Sequence, residues 1–404
     1  MPRISCLENN SIQAVVRKRP DKPMLGAKMH LAAIHYCVSF VFTYICLFTA
    51  CASNNTEVVR IGALLPITGS GANYGQYAKN GIDLAVEEIN SSGGIGSKRL
   101  EVIYEDSQSD PATGVSGFRK LLDANRVPAT LLEFSPVVVA CAPIANAQRS
   151  VLLNCGAQTP KLREAGPYIF SAIPDANQEA SEMAAFAYHT LGLKAAATFA
   201  INTETGLATT EVFIRKFTEF GGKIIDQERH DQGANDFRPQ LSKLQSFSPP
   251  AIYMISLTRE SALVLKQAGE LGLKTQWLSY TSFQGEDILR VAGNSAEGVI
   301  YTYPKFDPEA SARAKHFEAI YRERYSQPPE VFAATFYDGV GAIKAAMEKV
   351  GLSGETVREG LHSIVYQGVA GTIDFRRSTW VDKPLEFRTV RGGQFVVYQS
   401  TAKE

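Results

Sequence analysis

With 404 residues the chain is too long for one ordinary core and suits two domains of common size. Its 45% hydrophobic and 20% charged residues exclude both a disordered chain and a polytopic membrane protein. A formal net charge of +0, with no basic run longer than Arg17-Lys18-Arg19, argues against a nucleic-acid partner.

The leader comes first. Arg17, Lys18, Arg19, Lys22 and Lys28 precede an apolar run over 31–50, after which Ser53-Asn54-Asn55 is polar. Basic flank, apolar middle and small residues before a break make residues 1–50 an export signal, with 51–57 as linker. Leu47-Phe48-Thr49-Ala50-Cys51 resembles a bacterial lipobox, in which Cys51 carries the lipid. A run of this length also suits an uncleaved anchor, and plain secretion is the third reading. All three put the body outside the cytoplasm, because the positive flank stays inside. Beyond the leader only Cys141 and Cys155 remain. In an oxidising compartment that pair admits a disulfide; the other reading is two buried thiols.

From Val58 onward strand and helix patterns alternate. Residues 59–65 read as a buried strand, 69–75 as a glycine-rich loop and 76–91 as a helix spaced by Ile82, Ala85, Val86 and Ile89. Gly93-Gly94 ends that helix. Strands over 100–105, 129–134 and 151–154 then alternate with helices over 112–125 and 138–148. After Ile173-Pro174 the pattern restarts, with strands over 195–201, 223–228, 251–255, 276–279 and 298–303. Helices over 206–220, 236–245 and 261–271 separate most of them. Long helices over 310–325 and 332–350 lead to a terminal β region made of 372–375 with 387–397. Such alternation predicts an α/β protein of two doubly wound parallel-sheet lobes.

Motifs of catalysis are missing. The loop Gly69 to Gly75 is spaced G-x-G-x-x-x-G, which is not the dinucleotide fingerprint. Its dehydrogenase partner would be Tyr301/Lys305, where Pro304 breaks the helix that pair needs. No Gly-x-Ser-x-Gly elbow occurs, and His189, His230, His316 and His362 lack metal-ligand spacing. Neither a cofactor nor a metal is expected. Hydroxyl and amide side chains stand instead at strand ends: Ser135 after one strand, Gly156-Ala157-Gln158-Thr159 after the next. Open α/β sheets bind ligands at those edges, and helix N-termini there favour a carboxylate.

Three ordered segments carry a family resemblance: Ile61 through Gly69 to Tyr74-Gly75, Asn80 to Asn90, and Gly93-Gly94-Ile95. Tyr104-Glu105-Asp106, Ile173-Pro174-Asp175, Asp236-Phe237 and Tyr337-Asp338 support them. Over nearly everything from Val58 to Val397 the chain resembles the branched-chain amino-acid-binding proteins of ABC transport systems, the type I periplasmic binding proteins. The resemblance implies lobes of 58–175 plus 305–385 and 176–304 plus 386–404, joined by three crossovers. They would close on a small-molecule ligand, an amino acid or organic acid, and present it to a membrane permease. The protein would be a monomer, on the periplasmic or cell-surface side, and not an enzyme. Its rivals are a sensor that signals without transport and a Rossmann-like enzyme.

Carried over by position, Tyr74 resembles the family's cleft tyrosine and Ser135 the serine that holds the ligand carboxylate. Gly156 and Ala157 would supply backbone donors, Gln158 stands where Thr or Ser is usual, and Phe332 is the aromatic at the far end. Thr205 and Leu257 replace tyrosines of the second lobe. Thr281 occupies the place of the acid that binds the ammonium. Either Glu133 (beside Phe134) or Glu204 substitutes, or the ligand has no amine and packs on Tyr280, Phe283 and Phe332.

Overall fold

In the computed structural model the described residues are 57–399; the leader and Cys51 lie outside them. β1 (Val58–Leu65) is buried from Ile61 to Leu65 because it is an inner strand of a sheet covered on both faces. Then come α1 (Ala72–Ser91), β2 (Arg99–Asp106), α2 (Pro111–Arg119), β3 (Ala129–Leu132), α3 (Ser135–Gln148), β4 (Val151–Asn154) and β5 (Ile169–Ser171). They build a five-stranded parallel sheet in the order β2-β1-β3-β4-β5. Strand order reverses beside β1, which opens a crevice at the carboxyl ends of β1 and β3.

The second unit begins with α4 (Ala176–Ala185), β6 (Ala195–Ile201), α5 (Glu204–Glu219), β7 (Lys223–His230) and α6 (Arg238–Phe247). It continues through β8 (Ala251–Ile255), α7 (Thr258–Glu270), β9 (Gln276–Ser279), α8 (Glu286–Ala292) and β10 (Ile300–Pro304). The chain then returns to the first unit for α9 (Ala312–Tyr325), α10 (Val331–Lys349), α11 (Gly354–Ser363), β11 (Val365–Gly368) and β12 (Gly371–Asp374). It crosses a last time to add β13 (Leu385–Arg391) and β14 (Gln394–Val397) to the second sheet. That sheet runs β14-β13-β10-β9-β8-β6-β7, parallel from β7 to β10 and antiparallel at β13 and β14.

Three crossovers therefore join the lobes, and they lie side by side. Ser171 bridges to Trp380, the Lys305 amide donates to the Pro384 carbonyl at 2.9 Å, and Arg163 reaches Asp175 at 2.5 Å and Asp382 at 3.6 Å. Asp175 also caps α4 by accepting from the Gln178 amide.

Several elements differ from the sequence reading. The helix expected over 138–148 starts at Ser135, since Pro136 fits a first helical turn that needs no donor. Residues 372–375 do not join 387–397: β11 and β12 form a hairpin of their own, packed through Tyr366 and Ile373 into the first core. The disulfide reading is corrected too. Cys141 and Cys155 are both free and buried. They belong to separate apolar clusters, Cys141 with Phe118 and Val137, Cys155 with Leu131 and Phe336. Burial lifts both thiols, Cys141 to about 12, so neither is a ready nucleophile. Unfolding the non-reduced chain in iodoacetamide is expected to alkylate both, read by peptide mass; an intact Cys141–Cys155 cross-link would contradict this.

Candidate functional site: the interlobe cavity

The cavity forms where strand ends of both sheets face one another. It encloses ≈ 600 Å³ of space not filled by atoms, part of it open to solvent. On the first lobe its wall is Tyr74 of α1, the turn Glu133-Phe134-Ser135-Pro136 after β3, Gly156 and Gln158 after β4, and Phe332 of α10. On the second lobe it is Ile201, Thr203, Thr205 and Gly206 after β6, Gln232 after β7, Leu257 after β8, and Tyr280 and Ser282 after β9. Only Glu133 among them is acidic, and no Lys, Arg or His lines the wall.

Local geometry sets what this wall offers. Phe134 has φ 75°, a conformation costly for a side chain with a Cβ, and it turns β3 sharply into α3. Ser135 thereby becomes the first residue of α3, at a helix N-terminus that no side chain caps. α7 also starts without a side-chain cap, behind Leu257, and α5 starts behind Thr203, whose hydroxyl accepts from the Gly206 amide. Three helix N-termini thus point their partial positive ends at one space.

Two of the lining residues each carry a buried side-chain polar atom without a hydrogen-bond partner: Glu133 Oε2 and Thr205 Oγ1. Glu133 is 2% exposed, and burial alone pushes its pKa up to about 8. Gly156 packs against it, since a Cβ there would stand 2.7 Å from Glu133 Cγ.

The lobes also touch directly. Tyr74 Oη lies 2.7 Å from Thr258 Oγ1, accepts from the Thr258 amide at 3.2 Å, and packs edge-on against Phe332. Gln232 donates to Ser70 Oγ at 2.7 Å. Gln158 donates through Nε2 to Glu179, a fully buried acid that also accepts from Thr281 N and Oγ1 and from Thr302 Oγ1. Burial raises the Glu179 carboxyl to about 7 against the pull of those donors.

A family model described as periplasmic binding protein matches residues 58–386. The chain belongs to that family. Its members are solute-binding proteins rather than enzymes. A Leu/Ile/Val-binding protein homolog of Brucella suis is 25% identical over 298 residues, 72% of this chain and 79% of that protein. A leucine-binding protein of Thermotoga maritima superposes with a TM-score of 0.80 at 25% identity, covering 84% of this chain and 98% of that one. A solute-binding protein of an ABC transporter from Rhodopseudomonas palustris, solved with 3,4-dihydroxy benzoic acid, has the same fold. It superposes with a TM-score of 0.77 at 23% identity over 84% of this chain and 96% of that one.

Of the residues singled out from sequence, Tyr74, Glu133, Phe134, Ser135, Gly156, Gln158, Thr205, Leu257, Tyr280 and Phe332 share this periplasmic-binding-protein cleft. Four do not reach its wall. Ala157 is buried behind it, and its amide, like that of Gly156, donates to Asn154 Oδ1. Thr281 is buried and bonded to Glu179, and Phe283 lies in the second core. Glu204 accepts from Thr159 Oγ1 at 3.0 Å and lies 3.5 Å from Lys161 Nζ. Glu179 escaped notice, although its helical register with Ala176, Ala180 and Met183 marks it as inward-facing. Among the described residues no group of three or more His, Cys, Asp or Glu side chains is placed to hold a metal.

The raised carboxyls have a thermodynamic consequence. An acid whose pKa is raised in the folded state keeps a proton that the unfolded chain has lost, so stability falls as pH rises from its ordinary value to the raised one. For Glu133 the window runs from 4.5 to about 8. Between pH 5 and 8, Glu133→Gln is expected to flatten the fall in unfolding free energy by a few kcal/mol, roughly, as read by urea titration. Parallel curves for variant and wild type would contradict an unpaired, buried Glu133.

Proposed function

We propose that the chain is the extracytoplasmic substrate-binding component of an ABC importer and that its cleft takes a small carboxylate-bearing solute. The carrying observation is the convergence of three helix N-termini on a cavity with no basic side chain. A carboxylate is stabilised there by the helix dipoles, without a fixed cation. Ser135 at the start of α3 and Thr205 of α5, both lining residues, are the hydroxyl donors from the two lobes. Tyr74, Leu257, Tyr280 and Phe332 provide the apolar body of the site. Similarity to a leucine-binding protein and to one solved with an aromatic acid supports this ligand range.

Closure follows from ligand contacts made by both lobes at once, because a ligand shifts an equilibrium only by its differential affinity. Gly156 and Ala157 contribute through the shape of their loop, their amides being turned to Asn154. The ligand passes to a membrane permease, and the receptor, a monomer, is held to the membrane by lipid on Cys51.

Two measurements check this reading. Full-length chain, denatured and refolded to strip bound solute, is expected to gain melting temperature with at least one class among amino acids, aromatic acids and short fatty acids. Ser135→Ala and Thr205→Val should each weaken that ligand by about tenfold. No response from any class, or affinities unchanged in both variants, would remove the cleft assignment. Separately, mass spectrometry of membrane fractions should find a diacylglyceryl-modified Cys51 at the mature N-terminus; an N-terminus upstream of it would refute the anchor.

A further inference from the structure

The amino ends of the first sheet's strands lie on the edge away from the cleft, and basic side chains collect there. Lys98 and Arg99 lead into β2, Arg60 lies in β1, Arg126 precedes β3 and Arg149 precedes β4. Three of them have a carboxylate in reach: Arg60 has Glu101 at 3.2 Å, Lys98 has Glu57 at 2.6 Å and Arg149 has Glu355 at 3.9 Å. Arg99 and Arg126 are exposed, and among the described residues neither forms an ion pair. Arg126 and Arg149 also take left-handed backbone, with φ 53° and 50°, at positions that close a helix. Glycine is the residue free of strain there, so arginine is held at both against its backbone preference.

Apolar side chains stand among these cations. Val350 and Leu352, just past α10, are 40% and 39% exposed. Two adjoining grooves share Arg126, Pro128 and Leu352; one extends to Arg149, the other to Glu57, Arg60 and Lys98. Cations offset the negative carboxyl ends of helices, but a helix dipole gives no reason for exposed Val and Leu beside them. Basic and apolar groups on one face match the headgroup layer of a bilayer, where anionic phosphates overlie acyl chains.

The tether reaches the fold at the same place. Glu57 lines one groove, and its carbonyl accepts from the Arg99 amide at 3.0 Å. Fully extended, the linker from Cys51 to Glu57 spans at most about 20 Å. A chain held to the membrane at Cys51 therefore keeps this face beside the bilayer.

We propose that this face of the first lobe docks on an anionic phospholipid surface, with Arg99, Arg126 and Arg149 on lipid phosphates and Leu352 at the headgroup boundary. Such docking rests on the membrane anchor at Cys51 and adds a second, electrostatic attachment to it. The face lies at the opposite strand ends from the cleft, so the docked protein leaves the interlobe cavity free to take up solute. Each arginine brought to such a surface strengthens attachment about fivefold, within a Debye length of roughly 8 Å at physiological salt.

The test is hydrogen exchange on membrane-extracted chain reconstituted into vesicles of phosphatidylcholine alone or with an equal part of phosphatidylglycerol. Peptides covering 96–101, 124–128 and 350–353 are expected to exchange about fivefold or more slowly on the anionic vesicles. The triple variant Arg99→Gln, Arg126→Gln, Arg149→Gln should erase that slowing while melting within a few degrees of wild type. Salt at about 1 M, where the Debye length is ~3 Å, should erase it too. Equal exchange on the two vesicle types would overturn the docking face and leave the anchor standing. Chain that floats with neither vesicle would refute anchor and docking face together. Slowing in native membranes but on neither vesicle would give the face to a protein partner and overturn the lipid assignment.

Discussion

Parallel pairing puts the carboxyl ends of β1, β3 and β4 on one edge of the first sheet and those of β6, β8 and β9 on one edge of the second. Each chain segment leaving such an edge must turn into a covering helix, so helix N-termini gather at the same edge. With two sheets presented edge to edge, α3, α5 and α7 aim at a common space. The cleft's positive character is thus a property of backbone placement. It survives the absence of any Lys, Arg or His on the wall.

The direct contacts between lobes matter as much as the wall. Tyr74 with Thr258, Gln158 with Glu179 and Gln232 with Ser70 join the two sides through hydrogen bonds. Each is made in protein alone, so a solute adds to closure only what its own two-sided contacts contribute. Glu179 ties this to the second lobe's interior, because its remaining acceptors are filled by Thr281 and Thr302. A hydroxyl at position 281 is thereby explained by a structural task. Across the cleft, Glu133 is the one acid among the lining residues, and its Oε2 is buried without a partner.

Much of this was legible in the residues. Alternating apolar runs locate the strands, and Ser135, Gly156 and Gln158 fall at strand ends by pattern alone. The left-handed backbone of Phe134 was not legible, since nothing in Glu-Phe-Ser-Pro announces it. Nor were the partners of the Gly156 and Ala157 amides, which depend on Asn154 folding back over its own loop. The hairpin of β11 and β12 was misplaced because two short strands carry no record of which sheet they join. The same holds for Cys141 and Cys155, where spacing is silent about the sheet that divides two cores.

The central claim is that one small acid occupies the space among the three helix N-termini. Diffraction from crystals grown with the solute that most raises the melting temperature tests it most directly. The account predicts solute density within hydrogen-bond distance of both Ser135 and Thr205, with its carboxylate toward α3. Density confined to another cavity, such as the one between α1 and α10 lined by Arg313 and Tyr366, would contradict it.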